Sequence, residues 1–366
     1  MRMTLLFVTD AFAVWGGMER VLADKMNYLS ECYGYDVVLV TVNQGEHSIP
    51  FSLNPQIKHV DLGVRFHQQY AYSGIKRFLI YRKLVAKLKD KLGNKLLQIG
   101  ADVIVCAKLD YVGVLNEVRG RTPLIVESHT LCRAGYYEKS GLLRRLHVWQ
   151  FIRQVSKADT VVTLTAGDAK DWLEYNKQVY VIPNVVHVNK SGNYSNYTEK
   201  KIIYVGRFTK QKDFDSLLRI WSIVYSQHSD WTLDIYTDGE IHAPGVSVYK
   251  PIADIMEKFS NSSMLLLTSL FEPFGLVLPE AMSCGLPVVA FDCPYGPADI
   301  ITDGVDGFLV KNRDINEFAN RVCQLIEDKD LRVRIGQAAV KSAQRYRADV
   351  IMPKWKELFE LLCQKE

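Results

Sequence analysis

A chain of 366 residues is long for one hydrophobic core, so two domains are expected. Its 48% hydrophobic and 23% charged residues are an ordinary balance for a soluble globular protein, and no stretch reaches the ~20 uninterrupted apolar residues that span a bilayer. A formal net charge of +4, with no recognised nucleic-acid motif beside it, does not point to nucleic acid as a partner.

Seven cysteines are scattered at 32, 106, 132, 284, 293, 323 and 363, with no C-x-x-C. That pattern argues for a reducing, cytoplasmic setting and against a zinc or disulfide framework. Met1 to Asp10 is too briefly apolar for a secretory signal and reads as a first buried strand. The sequons at Asn193 and Asn196 then read as plain loop.

Taken in order, the first half alternates strands and helices. Strands are expected at Thr4–Thr9, Asp36–Val42, Ile57–Leu62, Asp102–Ala107, Pro123–Ser128, Thr160–Leu164 and Val179–Ile182. Met18–Tyr33 and the basic Ile75–Ile99 have helical period. Val186 to Lys200 is polar and without period, and reads as an interdomain linker. The alternation then restarts. Strands are expected at Ile202–Val205, Thr232–Tyr236, Val246–Tyr249, Met264–Thr268, Pro287–Ala290 and Gly307–Val310, with helices at Asp213–Gln227 and three more from Asp314 to Cys363. Alternation of this kind means parallel sheets covered on both faces: two doubly wound, Rossmann-like α/β domains, with the ligand at the carboxyl ends of the strands in the cleft between them.

Charge is uneven. Residues 65–95 carry Arg65, Lys76, Arg77, Arg82, Lys83, Lys87, Lys89, Lys91 and Lys95 against Asp90 alone. A second basic, aromatic stretch has Arg133, Tyr136, Tyr137, Lys139, Arg144, Arg145, Trp149 and Arg153. A solvated helical face is the common meaning of one such run. Two runs with interleaved Tyr and Trp suggest an anionic membrane surface or a lipid-phosphate acceptor.

The chemistry concentrates in Phe271 to Cys284, F-E-P-F-G-L-V-L-P-E-A-M-S-C. A strand, a turn and a helix in that order bring helix-start N–H groups to the carboxyl edge of a sheet, which suits an anion. Glu272 in the turn and Glu280 in the helix bracket it, and carboxylates beside an anion make sense when they accept from hydroxyls. A phosphate-bearing polyol such as a nucleotide sugar fits both. Arg207 and Lys212, in G-R-F-T-K-Q-K after a strand, are cations placed to grip a diphosphate, while Asp213 reads as a helix N-cap rather than a metal ligand. Gly16-Gly17 opens a helix after the first strand, where backbone can approach a phosphate, but G-G-M-E-R is not the dinucleotide fingerprint. His129 ends a strand in E-S-H-T. Glu280 alone reads equally well as a helical surface acid and Glu272 as a helix-start acid. Gly16-Gly17 alone reads as a tight strand-to-helix turn, and His129 alone reads first as a histidine satisfied by local backbone bonds.

Together they resemble the family-4 retaining glycosyltransferases of GT-B fold, in a bacterial surface-polysaccharide subgroup. The likeness rests on E-x7-E at Glu272 and Glu280, Gly285-Leu286-Pro287-Val288, Gly206-Arg207 with Lys212, Gly16 to Arg20, Pro183-Asn184-Val185 and the run Asp292 to Ile301. It covers nearly the whole chain and is densest over residues 200–310. Thr237-Asp238-Gly239 departs from the family's G-x-G turn.

The resemblance implies residues 1–184 as acceptor domain, completed by a C-terminal helix at 350–366 with Trp355 as packing anchor. Residues 185–349 become the donor domain. It implies Glu272, His129, Arg207 and Lys212 as catalytic, with Glu272 and His129 on the transferred sugar. Glu280 takes the ribose, the N–H groups of Phe274, Gly275 and Leu276 the distal phosphate, Gly16 or Gly17 the same diphosphate, and Lys250 to Ile252 the base. The implied activity moves a hexose or N-acetylhexosamine from a UDP-sugar to a lipid-linked or polysaccharide acceptor, without cofactor or metal, in the cytoplasm or on the inner membrane face. A GDP-mannose-type or soluble disaccharide-forming transferase, and a non-catalytic nucleotide-sugar-binding protein, are the alternatives.

Overall fold

A computed structural model describes residues 2–132, 142–189 and 192–364. Arg133, Tyr136, Tyr137 and Lys139 of the second basic stretch lie outside the described residues. The chain divides into two compact units: Met1–Leu164 with Asp168–Val185 and Ile351–Glu366, and Thr165–Gly167 with Val186–Val350.

The first unit is built on seven parallel strands, β1 (Thr4–Thr9), β2 (Asp36–Thr41), β3 (Lys58–Asp61), β4 (Val103–Cys106), β5 (Leu124–Glu127), β6 (Thr160–Thr163) and β7 (Val179–Val181), in the order β3-β2-β1-β4-β5-β6-β7. Its central strands are covered on both faces: β4, β5 and β6 are buried at every position, including Glu127 at the end of β5 and the two threonines of β6. The helix Gly74–Ile99 contributes Leu84, Leu88, Leu92 and Leu96, four residues apart and buried, and Gly100 closes it at φ 60°.

The second unit has six parallel strands, β8 (Lys201–Val205), β9 (Thr232–Tyr236), β10 (Val246–Tyr249), β11 (Met264–Leu267), β12 (Val288–Asp292) and β13 (Phe308–Lys311), in the order β10-β9-β8-β11-β12-β13. The chain leaves β8 toward one edge through β9 and β10, then returns to β11 on the other side of β8. That reversal opens a crevice above the carboxyl ends of β8 and β11, the place where open α/β sheets bind ligands. Asp213 caps the helix Phe214–Gln227: its side chain accepts from Ser216 N (3.4 Å) and from Ser216 Oγ (2.6 Å).

The run Val186 to Lys200, expected as a linker, packs onto the second unit instead. Ser195 N donates to Cys284 O (2.9 Å), Ser195 Oγ to Ser262 O (2.6 Å) and Arg332 Nη2 to Tyr197 O (3.0 Å). Its polarity reflects backbone satisfied by scattered hydrogen bonds rather than by a ladder, which is why it shows no period.

Candidate active site

In the second unit, β8 leads into Gly206 and Arg207, then a short 3-10 turn Lys210–Lys212, while β11 leads into Ser269 to Glu272 and the short helix Val277–Ser283. The two strands flank the reversal point, so their loops meet above it. Lys212 Nζ donates to Glu272 Oε2 at 2.5 Å, across 60 residues of sequence. Both side chains are largely buried, at 15% and 10% exposure. Ser269 Oγ also donates to Glu272 Oε2 (3.1 Å), and Tyr204 OH (2.8 Å) and Thr268 Oγ1 (3.1 Å) donate to the Lys212 carbonyl. The pair is therefore held from both ends. A fixed cation and a fixed carboxylate side by side can serve opposite charges on one ligand, an anion and a hydroxyl.

The turn after Glu272 is shaped by Gly275, at φ 88°, where a Cβ would also stand 3.0 Å from Glu272 Cγ. The N–H groups of Phe274, Gly275 and Leu276 donate to no acceptor among the described residues. The segment after β12 clasps this turn: Glu272 N donates to Pro294 O (2.6 Å), and Gly296 N (2.8 Å) and Tyr295 N (3.1 Å) donate to Glu272 O. Gly296 is required by contact, since a Cβ there would lie 2.0 Å from Phe274 O. Phe274 is buried edge-on against Tyr346, with ring centroids 5.4 Å apart. Glu280 is buried in the short helix.

Arg207 is exposed beside Lys212's loop. The Asp238 carboxyl sits below the usual range, chiefly because Phe208 N donates to it (2.6 Å), with the Arg207 charge adding to the effect. The departure from G-x-G thus has a structural use: Asp238 ties the β9 turn to the Arg207 loop, and the Phe208 ring fills the space a Cβ on Gly239 would need. Lys250 and Ile252 are exposed after β10, with β9 between that strand and β8, and no contact joins them to the Lys212–Glu272 pair among the described residues. Tyr249 stacks on Tyr236 at the same edge (5.0 Å, 22°).

In the first unit, Gly16 is the N-cap of the helix Gly17–Cys32, in extended conformation at φ −108°. Nothing in that backbone demands glycine; a Cβ would meet the Glu19 carboxylate end at 2.0 Å. His129 follows β5, its Nε2 3.3 Å from Glu127 Oε1 and its side chain 7% exposed. Lys25, from the Gly17–Cys32 helix, pairs with the same oxygen, and its Nζ lies 3.9 Å from the centre of the Trp355 ring. Burial lowers the Lys25 pKa. Burial alone would raise the Glu127 carboxyl, but Lys25 and His129 outweigh it and hold it down at about 2. Lys25 and Ser269 escaped sequence reasoning, while Glu127 and the Pro294–Gly296 clasp were read there without these contacts. Of these contacts, only the clasp carried a signal, in its Pro-Tyr-Gly-Pro.

Residues 15–190 match the family model "Glycosyltransferase Family 4" and residues 199–328 match "Glycosyl transferases group 1". The chain is a glycosyltransferase of GT-B type. Among its relatives is the amylovoran biosynthesis glycosyltransferase AmsD of Erwinia amylovora, 29% identical over 97% of this chain and 99% of the relative. Solved structures with the same fold include TarM (TM-score 0.81, 15% identity, 98% of this chain and 99% of the other). Another is HepE of Anabaena with UDP-glucose (TM-score 0.74, 19% identity, 98% and 100%). At those identities the likeness speaks for the fold alone.

Proposed function

We propose that this transferase moves a hexose or N-acetylhexosamine from a UDP-sugar to a sugar hydroxyl of a lipid-linked or polysaccharide acceptor in surface-glycan synthesis, with retention of configuration and without a metal ion. The observation that carries the reading is the buried Lys212–Glu272 pair above the β8/β11 reversal. Lys212, with Arg207, neutralises the diphosphate as it leaves, the role a metal ion plays elsewhere. Glu272 accepts from hydroxyls of the transferred sugar, and Glu280 from the ribose. The free N–H groups of Phe274, Gly275 and Leu276 take the distal phosphate. To the first unit the proposal assigns His129 on the donor sugar, Gly16 or Gly17 near the diphosphate, and the acceptor. Lys250 to Ile252 receive the base. UDP is favoured by HepE, whose structure holds UDP-glucose, and a surface polysaccharide by AmsD, named for amylovoran biosynthesis. Work on a lipid-linked acceptor places the protein in the cytoplasm, on the inner membrane face.

The test is a thermal-shift and turnover series with UDP, GDP, ADP and CMP, with and without EDTA. A nucleotide at a hundred times its dissociation constant adds about 2.7 kcal/mol. UDP alone should stabilise, unchanged by EDTA. Lys212→Ala and Glu272→Ala should stay folded and lose nearly all transfer. Stabilisation by GDP would redirect the reading to a mannosyl-type donor, and near-normal turnover in either variant would remove this pair from the site.

A further inference from the structure

The helix Gly74–Ile99 has two apolar stripes, and the fold uses one. Leu84, Leu88, Leu92 and Leu96 are buried in the core of the first unit. At about 100° per residue, Ile75, Phe78 and Leu79 point to the far side of the helix from Leu84 and Leu88. They are 80%, 56% and 59% exposed. Tyr70 and Tyr72, just before the helix, add 68% and 37%. Isolated exposed apolar residues mean little, but a contiguous group of this size marks a contact surface.

Residues 74–83 carry Lys76, Arg77, Arg82 and Lys83, all exposed and none paired with a carboxylate among the described residues. No acid occurs between Leu62 and Lys89. Lys76 lies over Tyr72 (4.5 Å), so that ring and cation extend the same face, while Arg77, over Tyr70 (4.7 Å), turns to the side of Leu84 and Leu88. Two copies of this chain meeting on the patch would set cation against cation, which disfavours self-association there. Apolar side chains flanked by unpaired cations fit an anionic lipid interface, with the former below the headgroups and the latter at phosphate level. Among the described residues no helix is long and apolar enough to cross a membrane, so the contact would be from the surface.

We propose that the first three turns of this helix dock the protein on an anionic membrane, with Ile75, Phe78 and Leu79 entering the interface and Lys76, Arg82 and Lys83 meeting lipid phosphates. The proposal deepens the lipid-linked acceptor reading and rests on it for purpose, while lipid binding is measured apart from activity. The experiment is co-sedimentation of the full chain with vesicles of phosphatidylcholine, with and without phosphatidylglycerol, at low and high salt. Binding is expected only with phosphatidylglycerol, weakened by salt. Each basic residue near such a surface contributes roughly fivefold, so K76Q/R82Q/K83Q should bind on the order of a hundredfold more weakly. Phe78→Asp with Leu79→Asp should also release the protein. Both variants should keep the wild-type melting temperature and UDP stabilisation, since the changed side chains are exposed. Wild-type protein left in the supernatant at low salt, or equal binding to both vesicles, overturns the proposal. So does a dimer by light scattering that Phe78→Asp with Leu79→Asp dissolves, which would give the face to a second copy. Vesicle binding without UDP stabilisation would count against the donor reading alone.

Discussion

Replacing Lys25 by methionine should strip Glu127 of its main counter-charge in the middle of the first unit. The two side chains are 3% and 1% exposed, and Glu127 Oε2 has no hydrogen-bond partner among the described residues. Methionine keeps the length and can rest on Trp355, so the loss of packing is small. What remains is a buried carboxylate facing His129 alone. Breaking one side of a buried pair costs about 3–5 kcal/mol. For a unit of this size that is a fall in melting temperature of roughly 6 to 20 °C.

The assay is urea unfolding followed by tryptophan fluorescence at neutral pH, on the wild type, Lys25→Met, and Lys25→Met with Glu127→Gln. The double variant should recover most of the loss, because the stranded charge is gone. The pH dependence follows from the depressed Glu127 pKa. A carboxyl held at about 2 against an ordinary 4.5 stabilises the fold fully above 4.5, and that contribution is lost as pH falls toward 2. The wild type should therefore lose more stability across this window than the double variant. A single-variant loss below about 1 kcal/mol, or a double variant no better than the single, would refute the reasoning.

Two glycines separate structural need from ligand approach. Gly296→Ala puts a Cβ 2.0 Å from Phe274 O, a backbone atom, so the Phe274–Leu276 turn must move. About 1–3 kcal/mol of stability and at least tenfold in UDP affinity should go, read by melting and calorimetric titration. Gly16→Ala meets only the end of the Glu19 side chain from an extended backbone, so its melting temperature should hold. If backbone at Gly16 approaches the diphosphate, that variant should nonetheless raise the donor KM, and an unchanged KM would take Gly16 out of the site.

Much of this protein is local in the sequence. Apolar runs marked the strands within a residue or two, Asp213 announced its cap, and the strand, turn and helix around Glu272 could be read from Met264 to Cys284. The residue types in that turn also suggested the anion and hydroxyl binding proposed for it. What the sequence could not carry is distance across the sheet. Strand order depends on crossovers, and it is the return from β10 to β11 beside β8 that sets Lys212 against Glu272, 60 residues away. The same holds for Lys25 and Glu127, brought together 102 residues apart, and for the clasp of Gly296 on Phe274. Charge along Gly74–Ile99 was visible from composition, but the exposure of Ile75, Phe78 and Leu79 was not. An apolar residue announces that it can be buried, and only the packing of its neighbours decides whether it is.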